Sequence, residues 1–243
     1  MKFLLTAINA KFIHSNPAIY SLRAGVGEKL QPYVELAEFT INESLESILE
    51  GIWKRQPKVI GFSCYIWNWK LIREILTELP KILPNTEIWL GGPEVTYDGP
   101  GLLSEFPQVT GIMVGEGEVT FREVLDQYVR EAESTGQSEQ QPEPDSIEQQ
   151  AADRTGTVTG KTVAERFGQI SGLCLASGYT APRELTDLTT LPFLYEDMEP
   201  FTNRIIYYET SRGCPYRCSY CLSSIDKKVR LRDIDVVKKE LQF

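Results

Sequence analysis

The possible folds are limited first by an alternation. Five short apolar runs, FLLTAI (3–8), VELAEFTI (34–41), KVIGFSCYI (58–66), EIWLGG (87–92) and VTGIMVGEGE (109–118), are separated by stretches whose apolar residues recur at helical spacing. The runs are apolar almost throughout, the pattern of strands buried on both faces by helices in a parallel sheet. Pro17 is placed to open a helix through Ile19, Leu22 and Val26 toward Leu30. Asn42 is a candidate cap ahead of Leu45, Ile48, Leu49 and Ile52. Ile72, Ile75, Leu76 and Leu79 mark a third helix that ends before Pro84, and Phe121, Val124, Leu125 and Tyr128 mark a fourth.

The expected fold is therefore α/β, with a doubly wound, flavodoxin-like parallel sheet. Such a sheet takes its ligand beyond the carboxyl ends of its strands. Those ends read Asn9-Ala10-Lys11, Thr40-Ile41-Asn42, Ser63-Cys64-Tyr65, Gly91-Gly92-Pro93 and Gly115-Glu116-Gly117-Glu118. All are polar or glycine-bearing, so a cofactor-binding edge is expected there, with Ser63, Gly91, Gly92, Gly115 and Glu116 as its candidate contacts. Glu116 and Glu118 read more simply as partners of backbone amides, or as charges favouring a helix N-terminus, than as an acid-base pair. The lysine of a phosphate-binding loop is missing.

Beyond this sheet domain, residues 1–130, the composition changes. Residues 131–160 are rich in Glu, Gln, Ser, Thr and Pro and poor in large apolar side chains, so a disordered insertion or linker is expected. Residues 161–203 read as a connector containing a short strand pair, ISGLCLASGY (170–179). RIIYYETS (204–211) reads as a strand, and residues 233–243 as the start of a helix.

The formal net charge of −9, from 25 basic and 34 acidic residues, argues against broad nucleic-acid binding. No apolar run approaches the ~20 residues of a membrane span. MKFLLTAINAKF reads as a buried first strand and not a secretion signal, so a cytoplasmic location without membrane association is expected.

Of five cysteines, three lie within eight residues, in SRGCPYRCSYCLSS, as C-x3-C-x2-C. Thiolates are soft ligands for iron or zinc, and a compact loop can wrap Cys214, Cys218 and Cys221 around one face of a 4Fe-4S cluster. Three ligands leave one iron open to chelate the amino and carboxylate groups of S-adenosylmethionine. Arg212 can neutralise such a cluster or form an ion pair, and Tyr220 can contact an adenine ring or pack beneath the loop. A zinc site is the competing chemistry, although closed structural zinc takes four ligands and the single histidine, His14, is distant in sequence. Cys64 and Cys174 lie in apolar runs and read as small buried hydrophobes.

The segment Ser211-Arg212-Gly213-Cys214-Pro215-Tyr216-Arg217-Cys218-Ser219-Tyr220-Cys221 resembles the radical S-adenosylmethionine superfamily. Gly91-Gly92-Pro93-Glu94-Val95-Thr96 and Gly115-Glu116-Gly117-Glu118 with Thr120-Phe121 are similar to strand ends of its members that carry an N-terminal cobalamin (B12)-binding-like domain. The resemblance implies a cluster on the three cysteines, with Tyr220 as the family's usual aromatic. It implies S-adenosylmethionine cleavage to a 5'-deoxyadenosyl radical acting on an unknown substrate, and a reductant such as flavodoxin or ferredoxin. The Asp-x-His-x-x-Gly loop of members that ligate cobalt from below is absent, because Phe12 and Pro17 flank His14 at the key places. Both readings therefore stand for the sheet edge: cobalamin held without a histidine, or a fold retained without corrinoid. The family's partial (β/α)6 barrel is only begun in residues 204–243. The chain thus reads as a truncated or split member, its barrel completed by a separately encoded remainder, or as a non-catalytic corrinoid- or partner-binding protein whose cysteine loop is inert or holds zinc.

Overall fold

The computed structural model describes residues 1–134, 160–195, 197–225 and 228–243. Five parallel strands, β1 (Phe3–Asn9), β2 (Val34–Thr40), β3 (Val59–Ser63), β4 (Glu87–Gly91) and β5 (Val109–Met113), lie in the order β2-β1-β3-β4-β5. A hairpin of β6 (Leu173–Leu175) and β7 (Gly178–Tyr179) continues the sheet antiparallel beyond β5. The two residue runs expected in a connector thus belong to a mostly parallel seven-stranded sheet. Away from it, β8 (Ser211–Arg212) pairs antiparallel with β9 (Arg230–Leu231).

β1 lies inside the sheet between β2 and β3, and all seven of its residues are buried. Its alternate side chains enter opposite layers, as the two-residue period of a strand dictates. Leu4 and Ile8 join the core packed by α2 (Leu45–Trp53), α3 (Trp69–Ile82) and α4 (Gly99–Glu105). Phe3, Leu5 and Ala7 join the core packed by α1 (Pro17–Gly25), α5 (Gly117–Ser134) and α6 (Val163–Phe167). A last helix, α7 (Ile234–Leu241), is capped by Asp233, whose carboxylate accepts from the Asp235 and Val236 amides. Among the described residues no helix is long and apolar enough to cross a membrane.

Several elements depart from expectation for local reasons. α1 stops at Gly25 because Gly27 turns with a φ of +78°, and Leu30 is buried from the turn that follows. The cap of α2 is Ser44, whose hydroxyl accepts from the Ser47 amide at 3.2 Å; Asn42 lies in the preceding turn. Pro80 sits inside α3, where it cannot donate to Leu76; the side-chain amide of Gln108 satisfies that carbonyl at 2.8 Å. RIIYYETS is not a strand over its length. Ile205 makes one bridge to His14, and only Ser211 and Arg212 join a ladder. Among the described residues, no continuous neighbouring strand offers Ile206 to Thr210 a row of backbone partners. The composition-biased stretch 131–160 lies mostly outside the described residues, although α5 runs through its first four residues.

Candidate functional site

The carboxyl ends of β3, β4 and β5 open into a cavity of about 960 Å³. Ser63, Gly91, Gly92, Gly115 and Glu116 all line it. Pro17, Ala18, Ser21 and Leu22 of α1 form one side, and the chain from Tyr207 to Arg212 covers it with Leu222 and Ile225. The sheet edge and the approach to the three-cysteine loop therefore face a common space.

Glycine is required at 92. Its φ is +109°, and a Cβ there would stand 2.5 Å from the Cys64 carbonyl oxygen. At Gly115 a Cβ would meet nothing within 4 Å, so the missing side chain leaves room for a ligand against the backbone. The Ser63 hydroxyl lies 3.4 Å from the Asn16 side-chain amide. Cys64 and Cys174 are fully buried, and burial pushes both thiols up.

The carboxylates at the end of β5 are engaged by the chain itself. Glu116 Oε2 accepts from the Thr186 amide at 2.7 Å and from Arg230 at 3.3 Å. Its Oε1 pairs with Arg212 at 3.3 Å and with the second Arg230 nitrogen. Burial would raise the Glu116 carboxyl, but the bonds from Arg230 and Thr186 and the charge of Arg212 outweigh it and hold it below the usual carboxylate range. Glu118 Oε1 accepts from Arg212 at 2.9 Å and from the Ser21 hydroxyl at 3.3 Å, whereas Oε2 is buried without a hydrogen-bond partner. Arg212 also bonds Glu209 at 2.7 and 2.9 Å. Burial would lower the Arg212 guanidinium, yet Glu209 and Glu118 hold it charged.

The cysteine loop begins at Gly213, in the left-handed region with a φ of +97°, which turns the chain away from β8. Cys214 and Cys221 are half-buried, Cys218 is exposed, and none of the five cysteines is in a disulfide. Among the described residues no three His, Cys, Asp or Glu side chains are gathered around a metal position. Tyr220 is 92% exposed and, like Tyr216, lies outside the cavity lining.

A second polar cluster fastens this cover to the sheet. Glu38 on β2 accepts from the Asn9 side chain at 3.0 Å, the Asn16 amide at 3.1 Å and the Tyr20 hydroxyl at 3.0 Å. Arg204 grips both Glu38 oxygens and donates to the His14 carbonyl at 2.7 Å. Burial pushes the Tyr20 phenol up to about 12, reinforced by the Glu38 charge. His14 itself does not line the cavity; its Nδ1 bonds the Tyr207 hydroxyl. The signal for this cluster in the sequence is Glu38, a carboxylate between Ala37 and Phe39 in β2.

The strand order and the cavity over the strand ends define a doubly wound α/β ligand-binding domain. Residues 4–125 match the B12 binding domain, and the chain belongs to that family. It is 31% identical over 175 residues to the cobalamin-dependent radical SAM methyltransferase TokK of Streptomyces tokunonensis, an alignment covering 68% of this chain and 22% of that one. It is 28% identical over 212 residues to the 2-(S-pantetheinyl)-carbapenam-3-carboxylate methyltransferase of Streptantibioticus cattleyicolor, covering 83% and 27%. The chain thus spans about a quarter of the length of these two relatives. In fold it is similar to the cobalamin-dependent S-adenosylmethionine radical enzyme OxsB with aqua-cobalamin and S-adenosylmethionine bound. The TM-score is 0.65 at 18% identity, over 98% of this chain and 31% of that one.

Proposed function

We propose that this chain carries the corrinoid-binding domain and the cluster loop of a cobalamin-dependent radical S-adenosylmethionine enzyme of the methyltransferase type. The observation that carries the reading is the shared cavity, with the strand ends of the B12-binding domain on one side and the stem of the three-cysteine loop on the other. The substrate is left unassigned, as is the reductant, for which a flavodoxin or ferredoxin would serve. Domain 1–130 holds corrinoid in this reading, and residues 204–243 begin a barrel completed by further chain.

The residues fit both groups. Gly115 gives backbone that a flat macrocycle can approach closely, Gly92 lets β4 turn tightly against Cys64 at the same edge, and Ser63 supplies a hydroxyl there. Three thiols on one short loop are the donor set of a cluster with an open iron, and the loop would close around it on loading, since metal binding organises its own ligands. His14 is turned to Tyr207 and outside the lining, so corrinoid would be held without it. When bound, these groups supply reductive cleavage of S-adenosylmethionine to a 5'-deoxyadenosyl radical and methyl carriage on cobalt. The protein's share is to bind and orient them and to keep water out: the Tyr207 to Arg212 cover lies over the cavity, tied by Glu116, Glu118 and Glu38.

Anaerobic iron-sulfur reconstitution with iron counting and electron paramagnetic resonance tests the cluster. About four irons per chain and a reduced-state spectrum altered by S-adenosylmethionine are expected. Hydroxocobalamin titration, followed by absorption, tests the cavity separately. Zinc retention, or an iron centre indifferent to S-adenosylmethionine, would replace the proposal with a non-catalytic binding protein.

A further inference from the structure

We infer that Glu116 is a positioning residue that holds the three-cysteine loop in register with the strand-end cavity, so that occupancy of one stabilises the other. The inference rests on the corrinoid and cluster reading above.

The cysteine loop that opens at Gly213 is closed at its base by β8 and β9, and in that ladder Arg212 stands directly opposite Arg230. Like charges at opposed positions of an antiparallel pair repel. Glu118 and Glu209 offset the charge of Arg212 but do not reach Arg230, and an isolated hairpin of this size is not stable in water. Glu116 is the counter-charge placed against both arginines: it pairs with Arg212 at 3.3 Å and accepts from both terminal nitrogens of Arg230. Arg230 in turn donates to the Thr186 carbonyl at 2.7 Å, and the Thr186 amide donates to Glu116, which closes a ring of bonds around one carboxylate. That carboxylate is largely buried, its side chain 13% exposed, so solvent weakens these pairs far less than surface ones.

The position of Glu116 in the chain supplies the other half of the argument. It follows Gly115, where the cavity touches bare backbone, and precedes Gly117, which opens α5. A ligand seated against Gly115 therefore restrains the backbone that aims the Glu116 carboxylate at the loop stem. By linkage, metal in the loop restrains the same turn from the other side. Glu116 lines the cavity and acts on the loop stem through the two arginines.

The test uses the full chain, reconstituted anaerobically with iron and sulfide. The rate of iron loss to a strong chelator is measured with and without saturating hydroxocobalamin. In the unmodified protein, cobalamin is expected to slow iron loss about fivefold or more, within the usual range of coupling between sites. In Glu116→Gln the ratio of the two rates, taken at cobalamin saturating for that variant, should fall to within about twofold of one, while iron content stays close to the parent. Glu105→Gln, which removes an exposed ion pair to Arg73, controls for the loss of a carboxylate and should keep the protection. Should Glu116→Gln fail to fold, Arg230→Gln gives the reading, because it removes both nitrogens by which Glu116 holds β9 and leaves only the pair to Arg212; the same loss of protection is expected. Protection retained in both variants, or absent from an unmodified protein that loads both groups, overturns the inference and leaves the proposed function standing. An unmodified protein that loads only one group, or neither, overturns the proposed function and this inference with it.

Discussion

Tyr128 illustrates how much a single buried hydroxyl can carry. It is fully enclosed, accepts from the Trp89 indole at 2.9 Å and donates to Glu87 at 2.7 Å, and burial drives its phenol well above the ordinary range. Arg166, also buried, completes the network by bonding Glu87 and Glu131 while lying over the Tyr128 ring. Tyr128→Phe keeps the packing but strands the Trp89 N–H, so a loss of about 1–3 kcal/mol is expected in urea unfolding. An unchanged midpoint would mean that water or a shifted neighbour replaces the hydroxyl. The helical spacing of Tyr128 marks it as core in the sequence, but its partners were not legible, because Glu87 and Trp89 reach it only through the fold. The same holds at Glu116: its place at a strand end is visible in the chain, whereas Arg212 and Arg230 lie about a hundred residues further on.

At the scale of elements, the tie between β2 and the cover of the cavity depends on protonation. Burial acts to raise the Glu38 carboxyl, but bonds from Arg204, Asn9 and Tyr20 prevail and depress it. Unfolded, it would titrate near 4.3. Its contribution is therefore full above that value and is lost as pH falls through the lower folded value. Glu116 is depressed in the same sense, so the two anchors of residues 204–212 should weaken together. Brief peptic digestion at stepwise lower pH is expected to cut within residues 195–212 before it cuts within β1 to β5. Simultaneous cleavage in both regions would show that these carboxylates do not govern the attachment. On the alkaline side Tyr20 acts oppositely: its support is complete below about 10 and lost as pH rises through about 12. The strands and α1, α2, α3 and α5 were legible because burial on two layers leaves a periodic apolar record. α4 was not, since GPGLLSE combines two glycines with a proline and has too few turns to display a period. RIIYYETS misled for the converse reason: β propensity supplies half of a strand, and a neighbour with free backbone groups supplies the rest.

For the molecule as a whole, only part of the cavity wall belongs to the cores that hold the sheet together. The cavity shares Leu5, Ile19, Phe62, Trp89, Leu90 and Met113 with the two cores, whereas Ala18 of α1 and the Tyr207 to Arg212 cover line it from outside them. Stability and ligand binding should therefore be separable by substitution. Ala18, half-buried on α1, lines the cavity and belongs to neither core. Ala18→Trp adds bulk to the cavity at a site where no core contact is given up, so its effect on unfolding free energy is expected to stay within about 0.5 kcal/mol. Hydroxocobalamin binding should weaken at least tenfold, about 1.4 kcal/mol. In the unmodified protein, cobalamin at a hundred times its Kd should add about 2.7 kcal/mol to the unfolding free energy, and in Ala18→Trp at the same concentration appreciably less. Thermal melts with and without cobalamin read both quantities in one experiment. Equal stabilisation of the two proteins would place the corrinoid away from the strand ends, because a ligand resting on Gly115 cannot share that space with an indole.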